Sequence, residues 1–175
     1  MPMYRFAPTA AAVSFTTLLF ICGIASALAG ETEDKDKGTS AVDRGRYLVQ
    51  IGGCNDCHTA GYLLNEGKVP EKDWLEGNPL GWKGDWGTTY ANNLRLFAAG
   101  MTQDEWVKMA RDLKRRPPMP WFAMNMMHEK DLVAIYQFLR YLGPAGEPAP
   151  AGLPPGVEPK GPYAQFPTAP KGDSQ

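Results

Sequence analysis

Residues 51–61 read IGGCNDCHTAG, and they contain most of the thiol and imidazole side chains of the chain. The 175 residues include three cysteines and two histidines, namely Cys22, Cys54, Cys57, His58 and His128. Two cysteines three positions apart, with a histidine directly after the second, form the pattern C-x-x-C-H that is typical of covalent haem attachment. Each thiol can add to one of the two vinyl groups of a porphyrin, and the adjacent His58 then lies under the iron as its axial base.

Three other uses of the motif are possible, and the sequence supports each of them less well than haem attachment. A thioredoxin-like redox pair requires a preceding strand within a βαβ unit, whereas a helix is predicted here. A zinc site needs four ligands with a second pair at short spacing, which the chain does not offer. A disulfide between Cys54 and Cys57 would close a very short loop and stabilise the fold little. The motif therefore favours one covalently attached haem c, with Cys54 and Cys57 as attachment sites and His58 as an iron ligand.

Residues 1–29 are interpreted as a cleaved export signal. Arg5 lies in a short n-region, an apolar stretch follows, and Ala27-Leu28-Ala29 provides the small residues of a cleavage site. The alternative is an uncleaved membrane anchor, because the apolar stretch 10–29 approaches the length that spans a bilayer. Both interpretations place the folded part outside the cytoplasm, and the periplasm is expected. Contact with a membrane is expected only if this segment is retained.

The rest of the chain divides by composition. Lys and Arg total 18 against 19 Asp and Glu, so neither a basic excess nor a basic arm suggests a nucleic-acid partner. Residues 30–40 are predicted to be a flexible charged spacer, and residues 41–144 a single folded domain. Residues 145–175 hold eight prolines and five glycines, which predicts an extended tail without a helix or an interior strand.

Three helices are predicted within 41–144. The first covers 41–51, with Ser40 in capping position and Gly52-Gly53 at its end. The second begins after Thr102, which forms a capping box with Glu105, and continues to Pro117. The third covers 129–142 and stops at Gly143. No alternating strand pattern is present, so the expected fold class is all-α, with about three main helices and long loops wrapped around one haem.

The segment PPMPWFAMNMMHE, residues 117–129, offers four methionines as a sixth iron ligand. A thioether ligand raises the reduction potential of a haem, which suits electron transfer. Met119 is the preferred candidate, because prolines on both sides hold its backbone extended at low entropic cost. Met124, His128 or an open coordination position remain alternatives.

Six residues of the long connection are predicted to line the haem crevice: Trp82, Trp86, Tyr90, Asn92, Asn93 and Arg95. Trp86 and Arg95 are the favoured donors to the haem propionates, since buried carboxylates need N–H partners. The alternative is that the tryptophans are plain packing and the asparagines serve turns.

A group of cations lies on the second predicted helix: Lys108, Arg111 and Arg115 fall opposite its apolar stripe, and Lys114 and Arg116 extend the patch. A solvated helix face explains these charges without any function. A docking patch for an acidic redox partner is the sharper hypothesis, because charged surfaces steer transient encounters.

Four segments resemble class I c-type cytochromes, in particular the haem modules that serve as cytochrome subunits of periplasmic alcohol and aldehyde dehydrogenases. They are RGRYLVQIGGCNDCHTAG (44–61), GTTYANNL (87–94), MTQDEWVKMARD (101–112) and PPMPWFAMNMMHEKDLVAIYQFLRYLGP (117–144). The resemblance implies a small cytochrome c fold with one haem, and it implies that Met119 is the methionine ligand. It also implies a crossing of the first and last helices through Gly45 and Tyr47 against Tyr136 and its neighbours. The family's Asn-Ile-Thr loop falls on Asn93-Leu94-Arg95.

The expected function is that of a periplasmic mono-haem electron carrier, which is not itself an enzyme. Its redox partners would be a dehydrogenase and a downstream acceptor such as a terminal oxidase or another cytochrome. One alternative is a cytochrome subunit bound within a dehydrogenase complex through the tail, with Tyr163 and Phe166 as anchors. Another is a haem-based ligand sensor or peroxidase, although peroxidase chemistry usually needs a distal acid-base group and no free histidine is suitably placed.

Overall fold

A computed structural model describes residues 40–167. The predicted export signal 1–29, the spacer residues 30–39 and residues 168–175 lie outside the described residues. The helices of the described chain are α1 (Ala41–Ile51), α2 (Cys54–His58), α3 (Leu94–Ala99), α4 (Gln103–Asp112), α5 (Trp121–Met126) and α6 (Glu129–Leu142). The strands are β1 (Asn78–Gly84), β2 (Gly87–Ala91) and β3 (Tyr163–Gln165), and a short 3-10 helix covers Glu71–Asp73.

The expected all-α fold class is wrong, because the three strands form a mixed sheet in the order β2-β1-β3. Strand β1 reads NPLGWKG, and its proline and two glycines hide the patterns by which strands are recognised. A register shift between Asn78 and Gly81 accommodates Pro79, and beyond it β1 and β2 pair regularly up to Gly84 and Gly87. Backbone pairing, rather than side-chain alternation, therefore defines this hairpin.

The proline-rich tail lies against this sheet. Its strand β3 pairs in parallel with β1 at the edge of the sheet. An edge strand tolerates flanking prolines such as Pro162 and Pro167, because no further strand needs an N–H group at these positions. Leu153 and Thr88 exchange two backbone hydrogen bonds of 2.8 and 3.0 Å. Phe166 packs edge-on against Trp82 and Trp86, with ring centroids 6.1 and 5.0 Å apart. Residues 145–167 of the tail thus contribute a strand, a bridge and an aromatic contact to the sheet side of the fold.

The bounds of α1 and α6 agree with the prediction. Ser40 caps α1 by accepting a hydrogen bond of 3.1 Å from the backbone N–H of Asp43. The capping box of Thr102 and Glu105 at the start of α4 is also confirmed. Helix α4 ends at Asp112, earlier than expected, because Leu113 already has an extended backbone conformation.

Helices α1 and α6 cross at Gly45. A Cβ atom at this position would lie 2.0 Å from the carbonyl oxygen of Ala134 and 2.8 Å from Cβ of Phe138, so only glycine permits the contact. The predicted role of Gly45 is confirmed, and its closest contacts are with Ala134 and Phe138, which flank Tyr136 on α6. Tyr136 instead donates its hydroxyl to the carbonyl of Met101 at 2.8 Å, and Tyr47 is about half exposed.

The hydrophobic core lies among α1, α3, α4 and α6 and includes the loop residues Trp74 and Leu75. Trp106 is buried and donates its indole N–H to the carbonyl of Leu132 at 2.9 Å. Trp74 is also buried and donates its indole N–H to the carbonyl of Val69 at 2.8 Å, so both tryptophans pack within the core. None of the helices within residues 40–167 is both long and apolar enough to cross a bilayer.

Candidate functional site

A cavity of about 430 Å³ lies between the core helices and the sheet. Its volume falls in the range of small-molecule and cofactor sites. Side chains from all three parts of the molecule, the helices, the hairpin and the tail, contribute to its lining. The residues that the sequence singled out and that line it are Cys54, Cys57, His58, Trp82, Tyr90, Asn92, Arg115, Arg116, Met119 and Met124.

The motif lies on α2, which begins immediately after α1. Gly53 caps α2 in the left-handed conformation, at φ +67°, which glycine adopts without strain. A Cβ atom at Gly52 would lie 2.8 Å from the carbonyl oxygen of Leu48. The two glycines therefore permit the short connection between the helices, and together with the motif they line the cavity.

His58 is held in a form that suits metal binding. Its ring Nδ1 lies 2.7 Å from the carbonyl oxygen of Asn92, which can only accept, so Nδ1 carries the proton and donates. The other nitrogen, Nε2, therefore has a free lone pair. Burial lowers the pKa of His58 and keeps the ring neutral at physiological pH. A neutral imidazole oriented by a backbone carbonyl is a common arrangement for a metal ligand.

The two cysteines of the motif are free thiols. Burial, followed by the nearby carboxylate of Asp56, raises the pKa of Cys54 to about 11 and also raises that of Cys57. A redox-active pair of the thioredoxin type needs a cysteine whose pKa is lowered, so these pKa shifts argue against that use. The helix α1 before the motif, in place of a strand, argues against it as well.

Several methionines reach the cavity, and their packing separates them. Met109, Met124 and Met127 line the cavity but also pack against the buried core cluster. Met119 lines the cavity from the loop before α5 and is not among the side chains packed on that cluster. Met126 is 76% exposed. Met119 is therefore the methionine whose packing best leaves its thioether available to a ligand in the cavity.

His128, the alternative ligand, is placed elsewhere. It occupies the N-cap position of α6, but its side chain makes no capping hydrogen bond. It does not belong to the lining of the cavity. Nothing in its position favours an iron-ligand role.

Three of the predicted crevice residues lie outside the lining: Trp86, Asn93 and Arg95. Asn93 caps α3 by accepting from the N–H of Leu96 at 3.0 Å, and it donates to the carbonyl of Ala145 at 2.7 Å. Its amide therefore ties α3 to the start of the tail. The ring of Trp86 packs on Phe166.

Arg95 is buried, but its guanidinium serves the end of α6. It donates to the carbonyl oxygens of Leu142 and Gly143 at 2.6 Å each, and to the carboxylate of Glu76 at 3.0 Å. The last carbonyls of a helix lack intrahelical partners, and a nearby cation satisfies them. Arg95 is thus a structural residue here, and its predicted place in the crevice is corrected.

Sequence reasoning missed two parts of the cavity wall. Arg115 and Arg116, considered only as surface charges, line it next to Met119. The tail residues 149–152 line it as well. The short distance from Met119 along the chain could have indicated the arginines, whereas no signal in the tail indicates a contact with the cavity.

The lining fits a c-type haem. Such a haem is an apolar macrocycle with two carboxylates, and the apolar wall includes Val49, Leu75, Phe97, Leu113 and Ile135. On the sheet side, Nε1 of Trp82 is buried and has no acceptor among the described residues, so it is available to a carboxylate. Within residues 40–167, no three His, Cys, Asp or Glu side chains are grouped so that they could hold a metal ion themselves. Haem iron does not require such a group, because the porphyrin supplies four of its ligands.

No family model matches the chain, and no curated protein or solved structure is significantly similar to it.

Proposed function

We propose that the protein is a periplasmic mono-haem c-type cytochrome that transfers single electrons between a dehydrogenase and a downstream acceptor. The observation that carries the proposal is the convergence of Cys54, Cys57, His58 and Met119 on one largely apolar cavity. When bound, a haem would supply a one-electron iron couple whose potential depends on the axial ligands and on burial. Side chains of the protein would hold the porphyrin, ligate the iron and exclude water.

Different residues around the cavity would attach the porphyrin, ligate the iron and orient the iron ligand. Cys54 and Cys57 would hold the porphyrin through thioether bonds, and Nε2 of His58 would donate its lone pair to the iron. The carbonyl of Asn92 orients the imidazole and increases its basicity. The apolar wall excludes water, and Nε1 of Trp82 is available to donate a hydrogen bond to a propionate.

The charges beside the cavity support an acidic redox partner. Lys108 and Arg111 on α4 are paired with Asp112 and Glu129, at 2.6 and 3.3 Å. Lys114 and Arg115, in contrast, are exposed and form no ion pair with other residues in the range 40–167. The docking patch suggested by the sequence is therefore better centred on Lys114, beside the cavity, than on α4.

Expression with the N-terminal segment, in bacteria that ligate haem in the periplasm, tests the proposal. We expect one haem per chain that survives denaturation, and a reduced pyridine spectrum typical of two thioether bonds. Cys54→Ala or Cys57→Ala leaves at most one thioether and shifts that spectrum, and the double variant loses covalent haem. A chain that folds without covalent haem, in cells that load a control c-type cytochrome, contradicts the proposal.

Two alternative functions, a dehydrogenase subunit and a haem-based ligand sensor, predict different properties. A subunit anchored through Tyr163 and Phe166 would use a side chain that is already engaged, since Phe166 packs on Trp82 and Trp86. Tyr163 remains 41% exposed. A ligand sensor predicts rapid, complete CO binding by the reduced protein at neutral pH, whereas a methionine-ligated electron carrier predicts slow or incomplete binding.

A further inference from the structure

Arg116, three residues before Met119, ties the loop that carries Met119 to the sheet and to the tail. Arg116 donates from one guanidinium nitrogen to the carbonyl oxygens of Trp86 and Leu153, at 2.9 Å each. Trp86 lies in the turn between β1 and β2, and Leu153 lies in the tail. We propose that Arg116 is a positioning residue for Met119, holding the loop so that the thioether stays available to haem iron. This inference rests on the proposed function.

The geometry requires a guanidinium at this position. Both bonds come from Nη1, and Nη2 lies 3.5 Å from the carbonyl oxygen of Thr88. A planar fork with several fixed donors can hold carbonyls of two segments at once, whereas an ammonium group is a single point of charge. Lysine at position 116 is therefore expected to replace the charge but only part of the positioning.

Two glycines let the segments approach closely enough for this arrangement. A Cβ atom at Gly152 would lie 2.4 Å from Nη2 of Arg116 and 3.1 Å from the carbonyl oxygen of Thr88. A Cβ atom at Gly87 would lie 2.2 Å from the carbonyl oxygen of Leu153. Side chains at these positions would displace the guanidinium or the tail, so the tie depends on backbone contact.

A second bond fixes the next residue of the loop. The hydroxyl of Thr89 on β2 donates to the carbonyl oxygen of Pro117 at 2.7 Å. After Met119 the chain enters α5, where the N–H of Trp121 bonds the carbonyl of Met119 at 2.9 Å. The methionine is thus held between two anchored points, one on the sheet and one at the start of a helix.

The consequence concerns competition for the iron. An external ligand such as imidazole binds oxidised haem only when the methionine has moved away, so its apparent affinity reports how often the loop opens. Loss of two hydrogen bonds from a charged donor favours the open loop. For Arg116→Ala we expect imidazole to bind on the order of tenfold more tightly than to the wild type, which corresponds to about 1.4 kcal/mol.

The test is an imidazole titration of the oxidised, haem-loaded full chain, in which visible absorption measures binding. Arg116→Lys should lie between the wild type and Arg116→Ala. Gly152→Ala and Thr89→Val should shift the affinity in the same direction and serve if Arg116→Ala does not fold. Arg111→Ala is the matched control, because it removes the same charge from an exposed residue that pairs with Glu129 and bonds neither the hairpin nor the tail.

The outcomes distinguish the proposed function from the positioning role of Arg116. A wild type without covalent haem, or without the far-red band of methionine-ligated haem, overturns the proposed function or its ligand. A wild type with that band, together with unchanged imidazole affinity in Arg116→Ala, Gly152→Ala and Thr89→Val, overturns the positioning role alone. A lower melting temperature with unchanged imidazole affinity would mean that Arg116 stabilises the fold without positioning Met119.

Discussion

Arg95 and Arg116 have the same side chain, and their hydrogen-bond partners give them different roles. Arg95 satisfies the last carbonyls of α6, so its charge is committed to the fold. Arg116 bonds the hairpin and the tail next to Met119. The sequence identified Arg95 as a crevice residue from its type and neighbourhood. Which carbonyls an arginine reaches depends on chain segments far away in sequence, and local patterns do not contain that information.

The first prediction concerns the sixth ligand. Met119→Ala should remove the weak far-red absorption of oxidised, methionine-ligated haem, open the iron to external ligands and lower the reduction potential, because a soft thioether favours Fe(II). Absorption spectra and a redox titration measure these effects. Met124→Leu and Met127→Leu are the matched controls, since leucine keeps most of their apolar volume in the core. Loss of the band in Met124→Leu and its survival in Met119→Ala would move the ligand to Met124.

At the scale of elements, α1 and α6 depend on close approach. Gly45→Ala should destabilise the haem-loaded protein by about 1–3 kcal/mol, the usual effect of overpacking, because the added Cβ meets the backbone of Ala134. Chemical denaturation gives the free energy of unfolding. Gly161→Ala is the control, because a Cβ atom there has no neighbour within 4 Å. Equal stability of the two variants would show that the helices can separate at little cost.

The capping box of α4 makes a prediction about pH. The backbone N–H and then the hydroxyl of Thr102 hold the pKa of Glu105 below its ordinary value of 4.5. A lowered pKa in the folded state contributes stability at neutral pH, and this contribution is lost as the pH falls through the folded-state pKa. Glu105→Gln should therefore lower the melting temperature at pH 7, and the difference from wild type should shrink below about pH 4.5. A difference that is independent of pH would mean that the charge of Glu105 contributes nothing.

Helix ends and strands differ in how far sequence predicts them. The bounds of α1 and α6 follow from nearby residues, such as Ser40 and Gly143, because helix hydrogen bonds and caps are local. Strand β1 has no such local signal, since Pro79 and its glycines weaken every strand pattern. It becomes a strand because β2 and β3 lie beside it.

At the scale of the whole molecule, the tail is predicted to support the proposed haem site as well as the fold. Removal of residues 145–175 should weaken the far-red band and strengthen imidazole binding, because it removes part of the cavity wall and the Leu153 carbonyl that Arg116 bonds. Loss of the packing of Phe166 should also cost on the order of 1–2 kcal/mol of stability. Absorption spectra and thermal unfolding measure both effects. A truncated chain with unchanged spectrum and stability would leave partner binding as the tail's only role.

The charge beside the cavity gives the last prediction. Lys114→Glu should slow reduction of the oxidised protein by ascorbate, an anion, on the order of threefold at low salt, and the effect should fade at high salt. Stopped-flow absorption measures the rates. Lys68→Glu makes the same charge change at an exposed residue, whereas Lys114 is flanked in sequence by the lining residues Leu113 and Arg115. Equal rates for the two variants at low salt would argue against a steering patch at Lys114.

The sequence by itself predicted the haem chemistry of the motif, and it determined the helices whose caps and apolar faces are local. The tertiary structure decided the fold class, because the sheet joins β1 to a tail strand far along the chain. It also decided which polar groups were already satisfied: Asn92 became the partner of His58, Arg95 a helix cap, and Trp82 an indole N–H without an acceptor among the described residues. The physical reason is that hydrogen-bond satisfaction and burial depend on every segment that reaches a position, whereas propensity and capping depend on a few neighbours along the chain.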